Sequence, residues 1–159
     1  MGTRSVIGAM WLFVASGVMA AETGKGEGKQ ENGPLHEHPT LVHMLRENNR
    51  LRATVGLPPQ EISPELTKAA QDHAWYMART GNFSHHANGG PTGRAARHGF
   101  DGSVAENIAM GHTTVREVFR GWRASSGHWS NIVSSHKYAG FGYGISSGGA
   151  QYWVAVYGN

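Results

Sequence analysis

No cysteine occurs anywhere in this 159-residue chain, so no disulfide can hold its fold together. Small exported domains commonly depend on such bridges when their cores are weak. This chain must instead be stabilised by a packed apolar core. Without an N-terminal leader and a polar tract, roughly 120 residues remain, which suffices for one domain with a real core but hardly for two. We expect a leader at 1–20, a linker at 21–39 and a single domain at 40–159.

The first residues have the layout of a secretory signal peptide. Arg4 precedes an uncharged run from Ser5 to Val18, and small side chains follow at Ala20 and Ala21. We predict cleavage after Ala20 and a secreted or periplasmic mature protein. The alternative is a retained N-terminal anchor, but the run is shorter than the about 20 apolar residues that a membrane span needs. We expect no membrane span after cleavage.

Residues 21–39 are rich in Gly, Lys, Glu and Gln and contain few large apolar side chains. Such a composition cannot bury enough surface to order itself, so we interpret the segment as a flexible tether. It ends in His36-Glu37-His38, which could touch a metal ion. An exposed polar tail is the favoured interpretation of these three residues.

The formal charge of +3 comes from 14 Lys and Arg against 11 Asp and Glu. Loss of Arg4 with the leader leaves 13 against 11, or +2. The densest basic group is Arg46, Arg50 and Arg52, whose helical spacing is typical of a solvated face. Because no basic stripe follows from this distribution, we expect no nucleic-acid partner.

The N-terminal half of the domain predicts two helices. Apolar residues recur at helical intervals from near Thr40, and Gly56 supplies a C-terminal cap. A second helix begins with Ser63 as its N-cap and Pro64 at its first position, and it ends at Gly81.

His73 falls on the apolar stripe of the second helix, and we interpret it as a hydrogen-bonded histidine at the edge of the core. The following stretch, 82–103, is glycine-rich and polar, with one short helical segment at 93–98. A loop of this length inside a compact domain suggests a functional role.

The C-terminal half predicts one further long helix, one helical turn and three strands, the last two joined as a hairpin. Helices on both sides of such a sheet give an α+β fold, a three-layer α/β/α sandwich with a small, mostly antiparallel sheet. The predicted bounds are Thr114 to Ser125 for the helix, His128 to Ile132 for the turn, and Ser103 to Ala109, Tyr138 to Ile145 and Gln151 to Tyr157 for the strands.

Five motifs in a fixed order resemble the CAP family of cysteine-rich secretory proteins, antigen 5 and pathogenesis-related proteins, whose domain is also called SCP. The resemblance extends from Leu41 to Gly158, and the lack of cysteine is similar to compact bacterial members. The motifs are Asn49 and Arg52 before Gly56-Leu57-Pro58-Pro59; Phe83-Ser84-His85; Ala105-Glu106-Asn107-Ile108-Ala109, with Ala105 in place of the usual glycine; Glu117 and Trp122 before Ser126-Gly127-His128; and Gly140-Phe141-Gly142-Tyr143-Gly144 with Tyr152-Trp153-Val154.

This resemblance implies a central cleft that holds four side chains, His85, Glu106, Glu117 and His128. Two imidazoles and two carboxylates suit a divalent cation, and zinc is the expected cofactor. The same four groups could instead form a hydrogen-bonded polar cluster. Asn107 or Ser84 could orient the histidines.

Glu117 has a second interpretation that depends only on its neighbours. It lies three residues after Thr114, the spacing of a capping box in which the glutamate accepts from backbone N–H groups at the start of a helix. Local sequence favours the cap as much as the cleft.

The resemblance implies a non-catalytic extracellular binding module whose partner is a lipid, an envelope component or a protein. The alternative is a metal-dependent hydrolase that uses a glutamate as general base. Neither the His-Glu-x-x-His nor the Gly-x-Ser-x-Gly motif of hydrolases occurs in the chain. A third interpretation is a passive structural or adhesion module.

Overall fold

The structure, a computed structural model, describes residues 34–159. The predicted leader and most of the predicted linker lie outside these residues. Within them, no helix has both the length and the apolar character that a membrane crossing requires.

Five α-helices and four β-strands make up this part of the chain. Short 3₁₀ turns at Leu35–Glu37 and Ala87–Gly89 precede α1 and α3. The elements in chain order are α1 Pro39–Ala53, β1 Glu61–Ile62, α2 Pro64–Thr80, α3 Gly90–Arg97, β2 Val104–Met110, α4 Val115–Ala124, α5 Ser126–Ile132, β3 Tyr138–Ile145 and β4 Gln151–Gly158.

The four strands form one sheet in the order β1-β3-β4-β2. Strand β4 pairs antiparallel with both β3 and β2, and only the two-residue β1 pairs in parallel, with β3. The prediction of a mostly antiparallel sheet is therefore confirmed. Strand β2 lies at one edge of this sheet, so one of its sides pairs with no strand of the described residues.

Successive side chains of a strand point to opposite faces of a sheet, so the sheet separates two cores. On one face, Ala155 and Tyr157 pack with apolar residues of α1, α4 and α5. On the other, Val154 and Val156 pack with α2 and α3. These two helical layers around the sheet confirm the predicted α/β/α sandwich.

The glycines of β3 explain how closely α2 lies on the sheet. A Cβ atom at Gly140 would stand 2.2 Å from the Leu66 carbonyl carbon, and one at Gly142 would stand 2.3 Å from the Ala70 carbonyl carbon. Gly140, Gly142 and Gly144 are alternate residues of β3, so all three face α2. The backbone of α2 therefore packs directly against the strand.

Most predicted helix ends agree with the structure. The Ser63 hydroxyl caps α2 by accepting from the Leu66 N–H at 3.1 Å, and Gly81 ends it with a left-handed φ of 71°. Helix α1 stops at Ala53, earlier than predicted, and Gly56 lies in the turn beyond it.

Two predictions about charged and polar segments are wrong in part. Arg52 does not lie on a solvated face: it is buried, and its guanidinium donates to the carbonyls of Ile132 and Ser134. The predicted linker is ordered over its last residues, where Leu35 packs against the core and the His38 ring accepts from the Thr40 N–H. The packed domain therefore begins before residue 40.

Candidate functional site

The candidate site lies at the free edge of β2. Three segments meet there: the loop after α2, which carries His85; the strand itself, which carries Glu106; and α5, which carries His128. The edge carbonyls of this strand are covered by side chains, because the Glu106 carbonyl accepts from Asn131 and the Ile108 carbonyl accepts from the Trp122 indole. Covering an edge in this way prevents pairing with another strand.

Glu106 is the centre of a buried ion-pair network. Its side chain is 1% exposed, and its Oε2 atom accepts from Arg94 Nη2 at 2.5 Å. The Arg94 side chain is 0% exposed and donates further to the carbonyls of Ala87 and His85. A buried carboxylate would be costly alone, so Arg94 compensates the charge of Glu106 and fixes the His85 loop.

The other carboxylate oxygen orients His85. Glu106 Oε1 lies 2.9 Å from His85 Nδ1. Because an ionised carboxylate only accepts hydrogen bonds, Nδ1 carries the hydrogen, and in the neutral ring Nε2 keeps a free lone pair. His85 is 42% exposed, so it presents this nitrogen at the surface of the site.

His73 of α2 is a further member of the network. It is 0% exposed, and its Nε2 lies 4.0 Å from Glu106 Oε1. Neither ring nitrogen forms a well-aligned hydrogen bond in the described residues, but the Ser84 backbone lies close enough to raise the pKa of His73, so the hydrogen-bonded histidine remains a prediction. Burial lowers the pKa of His73 to about 4, with Glu106 opposing the shift and Arg94 adding to it. The ring is therefore neutral at pH 7.

His128 approaches from the other helical layer. Asn107 donates from Nδ2 to the His128 carbonyl at 3.0 Å and accepts from Asn131 at 2.9 Å. Asn107 thus holds the backbone of α5 and not, as predicted, a histidine ring. Burial lowers the pKa of His128, and the charge of His85 lowers it further.

Glu117 lies at the start of α4, where the capping box is confirmed. Its Oε2 atom accepts from the N–H groups of Thr113 and Thr114, and the Thr114 hydroxyl accepts from the Glu117 N–H. These bonds lower the pKa of Glu117, the largest effect coming from the Thr113 N–H. Among residues 34–159 its carboxylate bonds only to those two threonines. Its place in the cleft remains a prediction.

Sequence motifs identified His85, Glu106 and His128, but sequence reasoning missed Arg94. Arg94 lies in a short helix of small residues within the glycine-rich loop, where no periodic pattern distinguishes an inward arginine from a surface one. His73 gave a weak signal, because it falls on the apolar stripe of α2.

The residues fit a metal ion only in part. No group of three or more His, Asp or Glu in the described part of the chain is arranged to hold one. Each Glu106 oxygen already accepts a hydrogen bond, one from Arg94 and one from His85, so Glu106 fits best as the partner that orients a histidine, a common role beside bound metals, and its role as a ligand remains a prediction. Two imidazole nitrogens remain for a cation, and zinc binding remains a prediction.

Known proteins resemble this chain in sequence or in fold. The chain is 34% identical over 104 residues to the uncharacterized protein YkwD of Bacillus subtilis (strain 168), a match of 63% of this chain and 40% of that protein. It therefore spans less than half of that relative's length.

Two solved structures share the fold. An outer surface protein from Borrelia burgdorferi superposes with a TM-score of 0.70 at 20% identity, over 76% of this chain and 92% of that one. An extracellular protein containing a SCP domain from Bacillus anthracis str. Ames superposes with a TM-score of 0.65 at 22% identity, over 74% of this chain and 39% of that one. The model of the CAP family, the cysteine-rich secretory proteins, matches residues 45–157. The chain therefore belongs to the cysteine-rich secretory protein (CAP) family.

Proposed function

We propose that this chain is a non-catalytic binding module that acts outside the cytoplasm and binds its ligand at the free edge of β2. The observation that carries the proposal is that Glu106 is buried and hydrogen-bonded through both carboxylate oxygens. A general base must lie within hydrogen-bond reach of the water or substrate proton that it removes. Glu106 is buried, and each of its oxygens already accepts from a donor. The network therefore supports an oriented histidine better than it supports hydrolysis.

Two imidazoles form the polar part of the proposed ligand site. His85 presents Nε2 as an acceptor, and His128 lies on α5, whose backbone is held by Asn107, the neighbour of Glu106 on β2. These are also the donors that zinc prefers, so we propose His85 and His128 as its ligands, with Glu106 orienting His85. A bound zinc ion would supply a positive charge that attracts an anionic group of the ligand.

One exposed apolar side chain, Phe83, precedes His85 closely in the loop after α2. Phe83, two residues before His85, is 42% exposed, and its ring centroid lies 6.5 Å from that of Tyr152. An exposed aromatic ring near a polar imidazole can contact the apolar part of a ligand whose polar group binds the histidine. This pairing favours an amphiphilic ligand, and among the expected partners we propose a lipid. Protein and envelope-polymer ligands are the alternatives. The extracellular and outer-surface locations in the names of the similar structures support the compartment.

A lipid-binding assay tests the proposal. The full chain, purified and extracted with organic solvent, should release lipid, and it should rebind a fluorescent fatty acid. Phe83→Ala and His85→Ala should each weaken that rebinding about tenfold, whereas the exposed His86→Ala, one position away, should not. Equal binding by all four proteins would refute the site.

The hydrolase alternative has its own measurement. The protein would be incubated with zinc and with esters, peptides and cell-wall fragments. Turnover that disappears in Glu106→Gln would overturn the non-catalytic proposal. Calorimetry with zinc, comparing the parent with a His85→Ala, His128→Ala double variant, tests the metal ligands independently.

A further inference from the structure

A cavity lies between α1 and α4, in the helical layer opposite the one that Glu106 faces. Its volume is about 260 Å³. Leu51 and Phe119 form its floor, and both are buried in the core beneath it. Neither His85 nor Glu106 lines it. The cavity is therefore separate from the site at the β2 edge.

The walls of this cavity are strongly basic. They consist of Arg50 from α1, Arg116, Arg120 and Arg123 from α4, and a single acidic residue, Glu47. Four arginines against one glutamate give the cavity a net charge of +3. The sequence shows three of these arginines at intervals of four and three residues, which places them on one face of α4.

Among the four arginines of the cavity, Arg50 forms an ion pair with Glu47, and the charge of Arg116 also helps to lower the pKa of Glu47. Arg50 donates to both oxygens of Glu47, at 2.6 and 2.8 Å. Arg116, Arg120 and Arg123 form no ion pair with any carboxylate in residues 34–159. Like charges three and four residues apart destabilise a helix. All three side chains are exposed, and the Arg123 guanidinium lies 5.7 Å from the centroid of the Trp129 ring. Three guanidinium groups around one cavity form a positive surface that an anionic ligand can neutralise.

The arginines that line the cavity favour some classes of anion over others. Guanidinium groups bind phosphate oxygens through pairs of parallel hydrogen bonds. A single carboxylate carries one negative charge, and a phosphate monoester carries about 1.5 to 2. Two linked phosphates carry more negative charge than one carboxylate or one phosphate monoester, so they match the cavity's net charge of +3 more closely.

We propose that the α1/α4 cavity binds a diphosphate group, with Arg116, Arg120 and Arg123 as its ligands and Glu47 as an internal counter-charge that holds Arg50. The group could be free in solution or form the head of a lipid, and both sources share the recognition chemistry. Nothing in this proposal depends on the function of the β2-edge site.

Calorimetric titration of the full chain with inorganic pyrophosphate, at low ionic strength and without divalent cations, tests the cavity. The parent should bind it, and Arg116→Gln and Arg120→Gln should each weaken binding about tenfold or more. Arg120→Lys should also weaken binding, because lysine keeps the charge but loses the planar fork. Glu47→Gln should strengthen it severalfold, since the counter-charge is lost and Arg50 is released.

Two controls make the result specific. Arg46→Gln removes one exposed charge from α1 outside the cavity and should leave the affinity nearly unchanged. His85→Ala with His128→Ala should also leave it unchanged, so failure at the other site does not affect this test. The proposal is overturned if the parent does not bind pyrophosphate, or if Arg46→Gln weakens binding as much as Arg120→Gln.

A second titration with farnesyl diphosphate distinguishes the two sources of the group. Tighter binding than that of pyrophosphate, lost in Arg116→Gln and Arg120→Gln, supports a lipid-borne diphosphate. Equal affinity supports the free anion. Farnesyl diphosphate binding that survives in both arginine variants would contradict the assignment of these residues.

Discussion

Arg94 and Glu106 form the interaction between single residues on which the β2-edge site depends. Both side chains are buried, and Arg94 also binds two carbonyls of the loop that carries His85. Removing one member of a buried ion pair leaves an uncompensated charge, which typically costs about 3–5 kcal/mol. We expect Arg94→Met to lower the free energy of unfolding by about that amount, measured by urea denaturation at pH 7.

The double variant Arg94→Met, Glu106→Gln is the matched control. It removes both charges, so it should recover part of the stability that Arg94→Met loses. A double variant no more stable than Arg94→Met would show that Arg94 acts through its bonds to the loop and not through Glu106.

His73 predicts a dependence of stability on pH. Its pKa is about 4 in the folded protein and about 6.5 when unfolded, so protonation favours the unfolded chain. Its contribution is complete above pH 6.5 and is lost as the pH falls towards 4. Between pH 7.5 and 5 the loss should be about 2 kcal/mol.

Denaturation of the parent and of His73→Gln at both pH values measures this contribution. Glutamine cannot titrate in this range, so the variant should show a smaller decrease, retaining the parts due to His128 and His136, whose pKa values burial also lowers. Equal decreases in both proteins would contradict the assignment of the pH dependence to His73.

The sequence allows part of the site to be predicted, for reasons that differ between residues. His85, Glu106 and His128 were identified because each lies in a short motif that can be recognised from the order of residues in the sequence. Arg94 was missed because its role depends on how α3 is oriented in the fold, which the sequence of that helix does not show. Glu117 fits a local capping box, and that is the role that the structure confirms.

At the scale of elements, the contact of α2 with β3 depends on the absence of side chains at alternate positions. A Cβ atom at Gly142 would lie 2.3 Å from the Ala70 carbonyl carbon and oxygen, which are helix backbone and cannot turn aside. We expect Gly142→Ala to force the helix away and to lower the free energy of unfolding by about 1–3 kcal/mol or more. Thermal denaturation measures the change.

Gly148→Ala provides the control for this prediction. It lies in the β3–β4 turn, where an added Cβ atom would approach only the Ser146 hydroxyl, at 4.0 Å. Its effect should be within about 0.5 kcal/mol. If Gly142→Ala is equally harmless, the close approach of α2 does not limit the packing.

Helix caps and strand alternation allowed most elements to be predicted, because those signals are local. Ser63, Pro64 and Gly81 mark both ends of α2 in the sequence and in the structure. The two-residue β1 was missed, since a strand that short has no periodicity and forms only when β3 lies beside it. The basic cavity was missed for a similar reason: its arginines come from α1 and α4, and only the fold brings them together.

At the scale of the whole molecule, Trp122 joins one helical layer to the site at the sheet edge. It is buried, its ring meets Phe119 with centroids 4.9 Å apart, and its indole N–H donates to the Ile108 carbonyl of β2. Its ring also lies 6.4 Å from that of His128. Core packing and the position of α5 beside β2 are therefore linked through one side chain.

Trp122→Ala should lower the free energy of unfolding by about 3–5 kcal/mol, as for other large buried aromatic residues. The loss comes from the cavity left in the core and from the unsatisfied Ile108 carbonyl at the strand edge. That is a large fraction of the total for a domain of this size. Urea denaturation of the full chain measures this loss. Trp75→Ala is the control: it removes an indole of α2 that is 51% exposed, so it should cost far less.

Trp122→Ala should also affect binding. Because α5 loses its packing against Trp122, this variant should bind less tightly whatever ligand the parent binds through His128. A Trp122→Ala protein as stable as Trp75→Ala would mean that α4 does not pack its tryptophan against β2, and the arrangement of α4 and α5 around the site would then be wrong.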